Sequence, residues 1–204
     1  MIGSPFSDDP QLQRLHLGCG RTILEGWVNL DRASGPGVDM VADLDRCAEV
    51  PLPFSSDTFD EFLASHVFEH LHHPLPLMHE LHRIAKPGAK AVFRVPYGSS
   101  DDAYEDPTHV RHCFMHTFSY FSQPFYWRAD YGYRGDWQPQ VVHLTVSKQR
   151  YLNMPPEQIM DDINRYRNVV REMIVELTAI KPIRPPRREL QSSLHIDIML
   201  VDAL

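Results

Sequence analysis

Within its first hundred residues the chain repeats one short pattern five times: a few mostly apolar residues, then an abrupt stop. Residues 14–17 (RLHL) stop at Gly18-Cys19-Gly20, residues 27–30 (WVNL) at Asp31, and residues 38–42 (VDMVA) at Asp43. Residues 59–64 (FDEFLA) and 90–95 (KAVFRV) follow, the last run being closed by Pro96. Runs of this length are strand-sized. Between the fourth and fifth, Phe68, Leu71, Leu75, Met78, Leu81 and Ile84 recur every three or four residues. That is the spacing of one helix face, so a helix is predicted over about residues 67–85. It stops at Lys86-Pro87-Gly88, where proline cannot continue the helix and glycine can turn left-handed. Strands alternating with helical connections imply a layered, mostly parallel α/β sheet.

The second half is less regular. Residues 97–140 are rich in aromatic residues, His, Asp and Gly and show little periodicity. A loop this long inside a compact domain is usually functional. Tyr120, Phe121, Phe125, Tyr126, Trp127, Tyr131, Tyr133 and Trp137 could close over a ligand as a lid, or form a satellite core. Residues 141–146 (VVHLTV) return to a strand pattern. Over residues 156–180, Ile159, Ile163, Tyr166, Val170, Met173 and Leu177 are spaced as one stripe of a long amphipathic helix, covering the sheet or forming a homodimer seam. Residues 195–201 (HIDIMLV) read as a strand for the sheet edge. Length favours a single domain of 204 residues, with residues 1–12 as a loose leader.

Composition excludes several classes. With 43 % hydrophobic and 23 % charged residues the chain is globular. A net charge of −7 disfavours nucleic acid as a partner, since phosphates call for a broad basic face. The one basic cluster, residues 181–188 (KPIRPPRR), reads as a stiff exposed loop. Three cysteines without CxxC spacing point to a reducing, cytoplasmic compartment. Neither a signal peptide nor a membrane span is expected.

Ligands of open α/β sheets bind beyond the carboxyl ends of the strands. Gly18 and Gly20 would let backbone approach a ligand there. Asp31 could accept two hydrogen bonds from a ribose diol. Asp43 and Leu44 suit the amino edge and the face of an adenine. Each has a plain alternative in turn geometry or capping; their convergence on one sheet edge is the specific signal.

Taken in order, LHLGCG, WVNLD, VADLD, LPFSSDTFDEFLASHVFEHL and RIAKPGAKAVFRVP resemble the class I S-adenosylmethionine-dependent methyltransferases, and within them the small type 11 enzymes. The resemblance spans roughly residues 14–96. It implies a Rossmann-like, mostly parallel sheet of about seven strands with helices on both faces, an antiparallel final strand and the aromatic-rich insertion after strand 5. It also implies S-adenosylmethionine as cofactor. Gly18, Cys19 and Gly20 would pass under its methionine part, Asp31 would hold the ribose, Asp43 and Leu44 would flank the adenine, and Ser65 and His66 would line the methyl-donor pocket. One departure stands out: residues 21–26 (RTILEG) are too short for the usual first crossover helix.

His66, Glu69 and His70 fall at i, i+3 and i+4, so on a helix they share one face and could hold a divalent ion. HxxEH also matches an inverted zinc-peptidase motif, but no further ligand is evident. The adopted reading assigns no metal and lets these residues cap or pack the helix. In Asp106-Pro107-Thr108-His109, similar to a DxTH segment that faces the acceptor in small methyltransferases, His109 is the first candidate general base and His70 the second. Asp106, Arg111 and Tyr97 are candidate acceptor contacts, although Asp106 and His109 could equally pin the loop. The expected function is methyl transfer to a small-molecule acceptor, at oxygen or else nitrogen. A macromolecular acceptor, or cofactor binding without catalysis, are the alternatives.

Overall fold

The computed structural model describes residues 6, 7 and 9–202. Eight strands make one sheet: β1 (Arg14–Leu17), β2 (Val28–Asp31), β3 (Met40–Val41), β4 (Phe59–Ser65), β5 (Ala85–Pro96), β6 (Trp137–Ser147), β7 (Val170–Ala179) and β8 (Ile196–Val201). Their order is β3-β2-β1-β4-β5-β7-β6-β8. β1 to β5 are parallel. β7 runs antiparallel to both β5 and β6, and β8 joins the edge parallel to β6. The expected Rossmann-like sheet is therefore present, with an eighth strand where residues 195–201 were placed. The reversal falls on the seventh strand. Helices α1 (Pro74–Ile84), α2 (Asp102–Glu105), α3 (Lys148–Tyr151) and α4 (Pro156–Arg165) flank it.

Two helices differ from the sequence expectation. The helix predicted from residue 67 begins at Pro74, because Pro74 suits only a first turn. Before it, Phe68–His70 form a single 3₁₀ turn that Leu71 ends in an extended conformation. His66, Glu69 and His70 therefore do not share a helix face. The long helix over 156–180 is also corrected. α4 stops at Arg165, Asn168 turns the chain at φ +60°, and the rest is β7. Val170, Ile174, Val175 and Thr178 are β-branched and prefer the pleated surface, and Met173, Val175, Leu177 and Ala179 alternate into the core. The stripe behind the homodimer expectation is thus divided between a helix and a central strand.

The first crossover carries no helix at all; residues 18–27 are turns and irregular chain. The buried Asn29 side chain takes over the bonding a helix would have supplied. Its Oδ1 accepts from Leu24 N (2.9 Å), and its Nδ2 donates to Leu24 O (3.0 Å) and Trp27 O (3.1 Å). Backbone groups under a sheet edge must find partners, and here one amide provides them.

The aromatic insertion divides. Phe121, Tyr126, Tyr133 and Trp137 are buried, while Tyr120, Trp127 and Tyr131 are exposed. Trp137 packs edge-on against Phe62 and donates from Nε1 to Met78 O (3.0 Å), tying β6 to α1. The basic loop is held down as well: Lys181 pairs with Asp57, and Arg184 pairs with the fully buried Asp136. Residue 7, in the segment read as a loose leader, is tied to Glu61, which accepts from its backbone N–H at 2.9 Å. All three cysteines are free and buried. Among the described residues no helix is long and apolar enough to cross a membrane.

Candidate functional site

The chain visits β1, β2 and β3 in one direction and then returns to β4 on the other side of β1. The reversal opens a crevice at the carboxyl ends of these strands, where such sheets bind ligands. A cleft of about 760 Å³ lies there, lined by Gly18, Asp31, Asp43, Leu44 and His66 together with residues of the insertion. That volume is in the usual range for a cofactor-sized ligand, about 300–1,000 Å³.

Each lining residue is fixed by its neighbours. Gly18 has φ +60°, and a Cβ there would lie 2.4 Å from Val67 Cγ2, so no other residue fits without rearrangement. Asp31 Oδ2 accepts from Gly20 N (2.8 Å) and its Oδ1 from Ala33 N (3.0 Å). Each oxygen keeps a second acceptor position for a ligand. Asp43 caps the 3₁₀ turn Leu44–Arg46 through Asp45 N (3.0 Å), which sets Leu44 beside it. Gly20 acts through Asp31, and Cys19 is buried, its thiol pKa raised by burial and then by Asp31. Neither of them lines the cleft, and nor does Ser65.

His66 follows β4 directly, at φ +55°. Its Nε2 lies 3.0 Å from Glu172 Oε1 and its Nδ1 3.3 Å from Glu69 Oε1. Glu172 and then Glu69 raise the imidazole to about 9. His66 therefore carries charge at neutral pH, and Glu172, also bound by Arg94 at 2.7 Å, balances it. Because the folded value exceeds the unfolded one, this stabilisation is complete below pH 6.5 and is lost as pH rises through 9. About half of the side chain is exposed (52 %), so screening reduces it to about 1 kcal/mol. The unfolding free energy of chelator-treated protein, read from denaturant titrations, should fall by that amount between about pH 6 and pH 10, and Glu172→Gln should remove most of the fall.

The insertion meets the 3₁₀ turn at Phe68–His70. Val110 N and Arg111 N both donate to Glu69 O, at 2.9 and 3.1 Å. His70 lines the cleft, and its Nδ1 lies 2.9 Å from Thr108 Oγ1. The His109 ring sits edge-on to that of His70 with centroids 4.8 Å apart, and its side chain is 8 % exposed. His109 thus stands behind His70 and not on the cleft wall, a correction to its place as first candidate base.

The three expected acceptor contacts are not brought to the cleft. Asp106 caps Thr108 from its Oδ1 (2.8 Å to N). Arg111 donates to Leu71 O and His72 O, clasping the insertion to the chain before α1. Removing it in Arg111→Ala should lower stability by about 1–2 kcal/mol, read by thermal unfolding. Tyr97 lines a separate cavity of about 650 Å³ with Ser99, Phe114 and Arg167. Sequence reasoning missed Thr108 and Val110 as cleft residues, although the Asp-Pro-Thr turn was visible. Glu172 was missed because its segment read as helix.

A family model described as a methyltransferase domain matches residues 15–93. An S-adenosylmethionine-dependent methyltransferase from Archaeoglobus fulgidus is 16 % identical, aligned over 83 % of this chain and 87 % of that one, with a TM-score of 0.53. A possible histamine N-methyltransferase from Thermotoga maritima is 12 % identical over 83 % of each chain (TM-score 0.51). The (4+2)-cyclase SpnF is 14 % identical over 83 % and 74 % (TM-score 0.52). Among curated proteins none matches in sequence. Structural likeness at these identities shows the fold. The family match covers residues 15–93, and the chain shares the fold of these solved structures. The matched segment contains Gly18, Asp31, Asp43, Leu44 and His66 of the cleft.

Proposed function

We propose that the chain methylates an oxygen of a small-molecule acceptor. The observation that carries this reading is one cleft that brings Gly18, Asp31, Asp43 and Leu44, from the ends of β1 to β3, together with His70 after β4 and Thr108 and Val110 of the insertion. The donor set fits the cofactor: a carboxylate with free acceptor positions for a diol, an acid beside a buried leucine, and a glycine where no Cβ fits. S-adenosylmethionine, when bound, would supply an electrophilic methyl group for an acceptor oxygen, with Gly18, Asp31, Asp43 and Leu44 holding it. The chain's part is mostly to hold donor and acceptor aligned. The insertion closes one side of the cleft with Pro107, Thr108 and Val110, and His70, backed by the His109 ring, borders the cleft beside them. The net charge of −7 favours a small acceptor over nucleic acid.

The test is turnover of S-adenosylmethionine to S-adenosylhomocysteine against a panel of small hydroxylated and amino compounds, with protein and RNA fractions alongside. Product formed only with a hydroxylated small molecule supports the reading. Product formed only with macromolecules overturns it. Binding of the cofactor without product from any acceptor points to non-methylating chemistry, since fold alone does not set the reaction.

A further inference from the structure

We propose that Glu69, His70 and His109 form a binding site for a divalent transition-metal ion on the insertion side of the cleft. The site draws two residues from the 3₁₀ turn after β4 and one from the insertion. One nitrogen of each imidazole and one carboxylate oxygen lie within 4.8 Å of one another. A tetrahedral ion with bonds of about 2.1 Å holds its ligands roughly 3.4 Å apart, so a side-chain adjustment of about 1 Å completes the set.

Three polar atoms here are otherwise unexplained. Both Glu69 carboxylate oxygens and His109 Nδ1 are buried without a hydrogen-bond partner, in side chains only 2 % and 8 % exposed. Buried polar groups are almost always satisfied, and a buried carboxylate needs a cation more than most. His66 offers one at 3.3 Å from Oε1, but it is shared with Glu172 and leaves Oε2 open.

The outer contacts are those of ligating histidines, whose second nitrogen is usually held by a carboxylate, a carbonyl or a hydroxyl. His70 Nδ1 lies 2.9 Å from Thr108 Oγ1 and 3.3 Å from Thr108 O, which leaves Nε2 for the ion. His109 Nε2 lies 3.9 Å from Asp106 Oδ2, which leaves the partnerless Nδ1. Asp106 is in turn fixed by the Thr108 hydroxyl at 2.6 Å. Backbone bonds from Val110 and Arg111 to Glu69 O hold the two segments in register.

Two imidazoles and one carboxylate select a zinc-like ion over magnesium or calcium, which prefer oxygen alone. Three protein ligands leave a coordination position open. Because His70 borders the cleft, that position is assigned to an acceptor oxygen, and this role rests on the methyl-transfer reading. The imidazole pair then serves as ligands and not as a base. The metal-binding trio is not the His66, Glu69 and His70 set of the sequence: His109 replaces His66.

The test is titration of the full chain, stripped with chelator, with Zn²⁺ by calorimetry and with Co²⁺ by visible absorbance. The expected result is one equivalent bound, weakened about 100-fold or more in His109→Ala and in Glu69→Gln, and about tenfold in Thr108→Val, which keeps all three ligands. His73→Ala removes an exposed neighbouring imidazole and should bind as the parent does. Far-UV dichroism and S-adenosylmethionine binding confirm that each variant is folded. No stoichiometric ion in the parent, or undiminished binding in both folded ligand variants, overturns the site and leaves the methyl-transfer reading intact. Ion binding without cofactor binding keeps the site and overturns its role at the acceptor.

Discussion

Asp31→Ala is expected to weaken S-adenosylmethionine binding by about 100-fold or more, measured by calorimetry on the intact chain. Its carboxylate has one acceptor position left on each oxygen after serving Gly20 N and Ala33 N. Two hydrogen bonds from a ribose diol to a charged acceptor contribute about 3 kcal/mol together, and every 1.4 kcal/mol is about tenfold. The alanine variant also releases the Gly20 turn, which adds to the loss. Asp31→Asn, which retains one side-chain acceptor, should fall between the two. A change of under about threefold in the alanine variant would mean that the ribose does not lie against Asp31.

Gly18→Ala should be the most damaging single-methyl change in the cleft. The new Cβ meets Val67 Cγ2 at 2.4 Å on backbone at φ +60°. The left-handed backbone costs about 1–2 kcal/mol for a residue with a Cβ, and overpacking typically about 1–3 kcal/mol more. Together, about 3–4 kcal/mol should lower the melting temperature by roughly 6–16 °C for a chain of this size. Val67→Ala in the same background removes the steric part and should recover about half. No recovery would show that backbone conformation alone governs the position. Non-additivity between the two sites is the quantity to measure, as in a double-mutant cycle.

The parallel half of the sheet was legible because β1 to β5 are short apolar runs with chemically distinct stops, and each stop is a local event. Gly18, Asp31, Asp43 and Leu44 were legible for the same reason. The segment at 156–180 was not. Val170, Met173 and Leu177 satisfy helical spacing by coincidence, while alternation through Met173, Val175, Leu177 and Ala179 is what the sheet uses. Asn168 and the β-branched pairs were the available signals against a continuous helix. His66, Glu69 and His70 misled differently. Their spacing assumed a helix, whereas Pro74 delays α1 and a 3₁₀ turn sends His70 toward the insertion. The pairing of His70 with His109 spans 39 positions of chain, and no local pattern encodes such a distance.

The helix-free first crossover has a consequence for the order in which the molecule comes apart. β2 and the two-residue β3 hang on β1 with turns on the way and one buried amide holding the connection. Such a corner has little to keep it closed apart from the sheet itself, so it belongs to the part of the native state that opens first and exchanges its amide protons soonest. The same corner carries Asp31. Ligand capture and local closure then draw on one equilibrium, and amide exchange at Asn29 and Leu30 should slow when the cofactor is added, with β6 and β7 unaffected.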